Sequence, residues 1–138
     1  MIAHHKNKTF ATFLAAVFGG LGLHRFYLHG KKDLAGWLHF ATAPLSLLGV
    51  LLKPEQPVMF TVMPLIVSGL ASLIAALVIG LTPDEKWDST HNRAAGRQSR
   101  SGWLLIILLV ITFGAGATAF IAAIARTFDL LFTGGAYG

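Results

Sequence analysis

Four stretches of this chain contain no Asp, Glu, Lys or Arg: Thr9 to Leu23, Leu34 to Leu52, Val58 to Leu81 and Trp103 to Ala125. A helix needs roughly 20 consecutive apolar residues to cross a hydrocarbon core about 30 Å thick, and the last three stretches approach or exceed that length. The first is shorter. Its roughly 15 residues, at about 1.5 Å each, cover about 22 Å, so it must borrow from its flanks, thin the bilayer or re-enter on the same side. Composition agrees, because 54% hydrophobic against 12% charged residues in a chain of 138 lies outside the usual soluble balance.

The same residues exclude several function classes. With no cysteine there is no disulfide, thiolate metal site or cysteine nucleophile. The net charge of +5 sits at the ends of apolar runs, which points to orientation and anionic lipid rather than nucleic acid. His4, His5, Lys6 and Lys8 before an apolar run resemble a secretory signal, but the run ends in Gly-Leu-His-Arg-Phe instead of a small-x-small cleavage site. No nucleophile, base and stabilising group fall together, so the chain reads as non-enzymatic and without a cofactor.

Between the first two apolar runs lies a basic aromatic knot: His24, Arg25, Phe26, Tyr27, His29, Lys31 and Lys32, bracketed by Gly22 and Gly30. Glycines there permit turn conformations that other residues resist. Phe26 and Tyr27 suit headgroup depth, and Arg25 has the length to reach phosphate or a helix carboxyl end. The run from Lys8 through Gly30, with Gly19-Gly20-Leu21-Gly22-Leu23-His24-Arg25-Phe26-Tyr27-Leu28, resembles the TM2 domain. The resemblance covers about residues 6–52, with Gly36 matching a glycine early in the second helix and His29 lengthening the linker by one residue. It implies a hairpin of two membrane helices and supplies no catalytic residues. The downstream half resembles bacterial members of the family with two additional helices.

Small residues mark the expected packing faces. Ala11, Ala15 and Gly19 form one row, Ser68, Ser72, Ala76 and Gly80 a second, and Ala115, Ala119 and Ala123, with Gly114 and Thr118 nearby, a third. His39 is the one ionisable residue inside the second run, and a neutral histidine hydrogen-bonding a neighbouring helix is favoured there over a proton relay. Asp33 is an expected N-cap for that helix, while Pro44 and Pro64 mark possible bends. Thr82, Pro83 and Glu85 have the spacing of a capping box opening a short interfacial helix. Asp84, Asp88 and His91 would share its face, a conceivable but weak divalent-metal pattern. Trp37, Trp87 and Trp103 are expected at headgroup depth, with Lys31, Lys32, Arg93, Arg97 and Arg100 forming a basic rim for anionic lipid.

These readings predict an all-α membrane protein with four transmembrane helices, the first two a hairpin, and an interfacial helix in the 82–102 loop. Its parts are a hairpin over 1–52, a third helix and its loop over 53–81, a basic cytoplasmic loop over 82–102, a fourth helix over 103–125 and a flexible tail over 126–138. With four crossings, seven cations share the cytoplasmic side and Lys6, Lys8, Lys53 and Arg126 lie opposite; if the first run is re-entrant the bias becomes nine against two. The expected role is a scaffold or interaction subunit of a bacterial inner membrane, its partners anionic lipid and a membrane protein or second copy. A small transporter or channel component is the alternative.

Overall fold

The computed structural model describes residues 4–137, and its regular elements are all helical among them. In order they are α1 (Lys8–Phe18), a 3-10 turn (Gly19–Leu21), α2 (Leu23–His29), α3 (Leu34–Leu52), α4 (Val58–Thr61), α5 (Met63–Leu81), α6 (Asp84–His91) and α7 (Trp103–Thr133). Three helices, α3, α5 and α7, with 19, 19 and 31 residues, are long and apolar enough to cross a membrane.

α5 is the central pillar, with α1, α3 and α7 packed around it. Its buried residues are Ser68, Ser72, Ala76 and Gly80. Small side chains at every fourth position leave a groove along the helix, and neighbouring backbones come close there. α1 runs antiparallel along it: Lys8 Nζ donates to the Thr82 carbonyl at 2.8 Å, whereas the Gly20 carbonyl accepts from Ser68 Oγ at 2.7 Å. Ala11 and Ala15 are fully buried along this contact.

The first apolar run differs from a membrane-crossing helix. α1 has 11 residues, about 16 Å of helix, and ends at the glycine turn. Gly22 then takes φ +75°, a left-handed conformation, with its backbone so close to α3 that a Cβ would stand 2.4 Å from the Gly36 carbonyl oxygen. The chain reverses. The Asn7 amide donates to Tyr27 Oη at 2.8 Å, Lys6 Nζ donates to the Leu28 carbonyl, and the Phe10 and Tyr27 rings meet edge to face with centroids 5.2 Å apart. The end of α2 therefore lies beside the start of α1, and the expected fourth long helix is replaced by a short helical hairpin.

Other boundaries shift for local reasons. The expected helix from Val58 to Leu81 divides at Val62, and Pro64 lies in the first turn of α5, where a missing amide leaves no hydrogen bond unmade. The capping box does not form. Thr82 closes α5, its hydroxyl donating back to the Val78 carbonyl at 2.6 Å, so α6 starts after Pro83 without a side-chain cap. α7 continues past Ala125 to Thr133, with Arg126 inside it and paired to Asp129 at 2.5 Å. The helical part of the segment expected to be a flexible tail ends where Gly134 turns left-handed at φ +69°. Met1, Ile2, Ala3 and Gly138 lie outside the described residues.

α7 docks on α5 by a face other than the expected one. Leu109 fills the space over Gly80, where a Cβ would lie 2.5 Å from Leu109 Cδ2, and Gly116 meets Leu73. Leu105 and Thr112 are the buried residues of this helix. Ala115 and Ala119 are exposed and Ala123 is half-buried. The large side chain of Leu109 seated over Gly80, where any side chain would collide with it, fixes the rotation. Ala115 precedes Gly116 by one residue and so points about 100° away from the contact.

Candidate functional site

The glycine turn between α1 and α2 brings polar residues of α2, α3 and α5 together. Ser68 Oγ donates to the Gly20 carbonyl at 2.7 Å and lies 2.6 Å from His39 Nδ1. A serine hydroxyl has one proton to donate, so with that proton on Gly20 the neutral His39 carries its own on Nδ1 and donates it to Ser68. The His24 ring lies edge-on to His39, with centroids 5.6 Å apart. His24 is 2% exposed, and its Nδ1 has no hydrogen-bond partner among the described residues. Ser72 Oγ turns back to the Gly69 carbonyl at 2.7 Å. The result is a polar seam of His24, His39 and Ser68 where the α1–α2 turn meets α3 and α5.

Arg25 ends elsewhere than expected. Rather than reaching for phosphate or a helix carboxyl end, it makes a two-point contact with Asp33, Nε to Oδ2 at 2.7 Å and Nη2 to Oδ1 at 3.0 Å. Asp33 also caps α3, accepting the Gly36 amide at 3.1 Å. The hydrogen bond from Arg25, opposed by partial burial, holds the Asp33 carboxyl below its ordinary pKa. Phe26 lies over Gly36 and against Trp37, ring centroids 5.3 Å apart, so it packs on α3. Trp37 is 51% exposed and donates from Nε1 to the Lys31 carbonyl at 2.8 Å, fixing the loop that carries exposed Lys31 and Lys32.

Apart from Ser68, Gly69 and Ser72 of α5, these residues fall within residues 4–53, which match the family model described as TM2 domain. The chain carries a TM2 domain. No curated protein and no solved structure matches the chain. The match closes at Lys53, the C-cap of α3, so α4 to α7 lie outside it. The TM2 domain packs on α5, a helix from the remainder of the chain, and Ser68 of that helix completes its polar seam.

At the opposite end of α5, α6 and the loop after it bind the start of the TM2 domain. Trp87, expected as a headgroup anchor, is 2% exposed: its ring packs with Ala11 and Leu28, and Nε1 donates to the Lys6 carbonyl at 3.0 Å. The short α6 has only this large apolar residue with which to dock. Asn92 clasps the same backbone, accepting from the Lys6 amide at 2.7 Å and donating to its carbonyl at 3.1 Å. Nothing in the pattern around Asn92 marked this role in the sequence.

Asp84, Asp88 and His91 do not converge. Asp84 pairs with Lys8 and accepts from the Ser101 amide and hydroxyl at 2.8 and 2.6 Å. Burial opposes its charge, but these donors outweigh it and lower its pKa. Hydrogen bonds from Ser99 and Asn92 bring Asp88 down to about 2. His91 lies against Trp87 with the rings tilted and their centroids 4.3 Å apart, and burial followed by the nearby Lys6 charge lowers its pKa. Arg93, Arg97 and Arg100 are exposed, and Trp103 is 73% exposed at the start of α7.

Proposed function

We propose that the chain is a multi-pass protein of a bacterial inner membrane that acts without catalysis, as a scaffold or interaction subunit. In this reading α3, α5 and α7 cross the bilayer and α1 and α2 form a re-entrant hairpin, in place of a fourth crossing. Lys6, Lys8, Arg25, Lys31, Lys32, Lys86, Arg93, Arg97 and Arg100 then share one side, with Lys53 and Arg126 opposite. That bias puts the larger group in the cytoplasm, where it faces anionic headgroups.

The observation that carries the scaffold reading is the second half of α7. At 31 residues this helix is about 46 Å long against about 28 Å for the 19-residue α5. Ala115 there points away from α5 beside exposed Phe113, Phe120 and Ile121, and Ala119, also exposed, borders an open cavity formed with Leu65, Ile66 and Leu70 of α5. Exposed small residues flanked by bulky side chains are the surface a further transmembrane helix needs for close approach.

A photo-crosslinking amino acid at Ala115 or Ala119, activated in native membranes, should give a discrete adduct with a second protein or a second copy of the chain. Adducts with lipid alone would reject recruitment through this face. The transporter reading is favoured by one observation, the His24–His39–Ser68 seam, and predicts that His39→Ala abolishes solute flux in proteoliposomes. Unchanged flux would dismiss it.

A further inference from the structure

We propose that the cleft between the start of α1 and the start of α7 is a binding site for one anionic phospholipid, its phosphate held by Arg97 and Arg100 and an acyl chain lying between the two helices. This rests on the reading that the basic side faces anionic lipid, and it assigns that contact to one place. Two adjoining hollows carry it. The first is a polar cavity of about 340 Å³, lined among others by His5, Lys8, Asp84, Arg97, Arg100 and Ser101. The second, of about 450 Å³, is an apolar groove walled by Phe10 and Phe13 of α1 and by Leu104 and Leu108 of α7. Asn7 and Thr9 line both, so one opens beside the other.

The charge in the polar hollow is unbalanced. Its carboxylate, Asp84, already pairs with Lys8 and accepts two hydrogen bonds from Ser101. Arg97 and Arg100 make no ion pair among the described residues. Two arginines lining a cavity whose carboxylate is already paired suit a phosphate, which accepts several charge-assisted hydrogen bonds at once. Depth fits as well: the cavity lies where Trp103 opens α7, and the groove follows the first turns of the two helices toward the hydrocarbon. A soluble phosphate would leave the groove unused, whereas a phospholipid fills both hollows.

Purified full-length protein in detergent, titrated with phosphatidylglycerol or phosphatidylcholine and read by native mass spectrometry, tests this. We expect one phosphatidylglycerol retained in preference to phosphatidylcholine. Arg97→Gln with Arg100→Gln should weaken its retention roughly 30-fold, the effect of two cations at a membrane surface. Lys86→Gln with Arg93→Gln, on the same side but outside the cavity, should change it little. Leu108→Trp, which fills the groove, should weaken retention with both arginines intact. Equal losses from the two charge pairs would overturn the site while leaving a diffuse basic rim standing. Full retention by Leu108→Trp, or displacement of the lipid by inorganic phosphate at matching concentration, would overturn the acyl seat. No preference for phosphatidylglycerol in the unaltered protein would remove both the site and the rim reading.

Discussion

Gly19 and Ser72 touch so closely that a Cβ on the glycine would lie 2.3 Å from Ser72 Cβ and 2.6 Å from its Oγ. Among the glycines where the TM2 domain meets α5, this one leaves the least room for a side chain. Gly19→Ala should therefore destabilise the protein by about 1–3 kcal/mol through overpacking. Ser72→Gly in the same chain should restore most of the loss, because it removes the atoms that collide. Unfolding midpoints of the single and double variants in detergent measure the effect; additive losses would show that the contact is not the cause.

Two other glycines separate backbone strain from collision. Gly22 and Gly30 both have positive φ, +75° and +82°, but a Cβ on Gly22 would strike the Gly36 carbonyl, whereas Gly30 has open space. Gly30→Ala should cost about 1–3 kcal/mol from conformation alone. Gly22→Ala should cost more and also move His39, whose Cβ lies 3.0 Å from the same point. Equal losses would place the turn farther from α3 than described.

Much of this fold was legible from residue size and spacing. The row Ser68, Ser72, Ala76 and Gly80 identifies the buried face of α5 because close approach requires small side chains at one helical period. The same reasoning misplaces the face of α7, where Leu109 fitting over Gly80 fixes the rotation, a complementarity between two helices that neither pattern contains. Arg25 and Trp87 fail for a related reason. Their chemistry suits the lipid interface, but Asp33 and the Lys6 carbonyl meet them first, through a reversal of the chain that depends on glycine conformation. A charge run such as Arg97 and Arg100 announces an anion, and only the adjoining groove says which kind.

Docking of α6 should weaken on acidification in two stages. Burial and the Lys6 charge lower the His91 pKa from 6.5, so the undocked state takes up the proton first. The stabilisation from a neutral His91 is complete above pH 6.5 and declines below it. Asp88 follows: its pKa falls from 3.8 to about 2 when Ser99 and Asn92 donate to it, so its contribution is complete above pH 3.8 and vanishes below about pH 2. A protein keeping Trp87 alone, through Trp37→Phe and Trp103→Phe, should show a red shift of fluorescence in both windows. His91→Gln should remove the first and keep the second; a shift unaltered by that substitution would assign the first stage to another group.

The path of the first helices fixes which ends of the chain share a compartment. Lys6 and Lys8 bond to Asn92, Thr82 and Asp84, so the start of α1 lies with the 82–102 loop, while Lys53 closes α3 at its far end. Three crossings then put the beginning of the chain opposite its end, whereas four would put both ends together. The protein has no cysteine of its own, so single cysteines report position without background. His4→Cys and Gln98→Cys should be shielded from an impermeant maleimide in intact cells and labelled after lysis. Glu55→Cys and Tyr137→Cys should react from outside in intact cells. Labelling of His4→Cys together with Glu55→Cys would mean that the first run crosses after all, and the contacts joining Lys6 to Asn92 and Trp87 could not exist in the membrane, since their partners would lie on opposite sides of it.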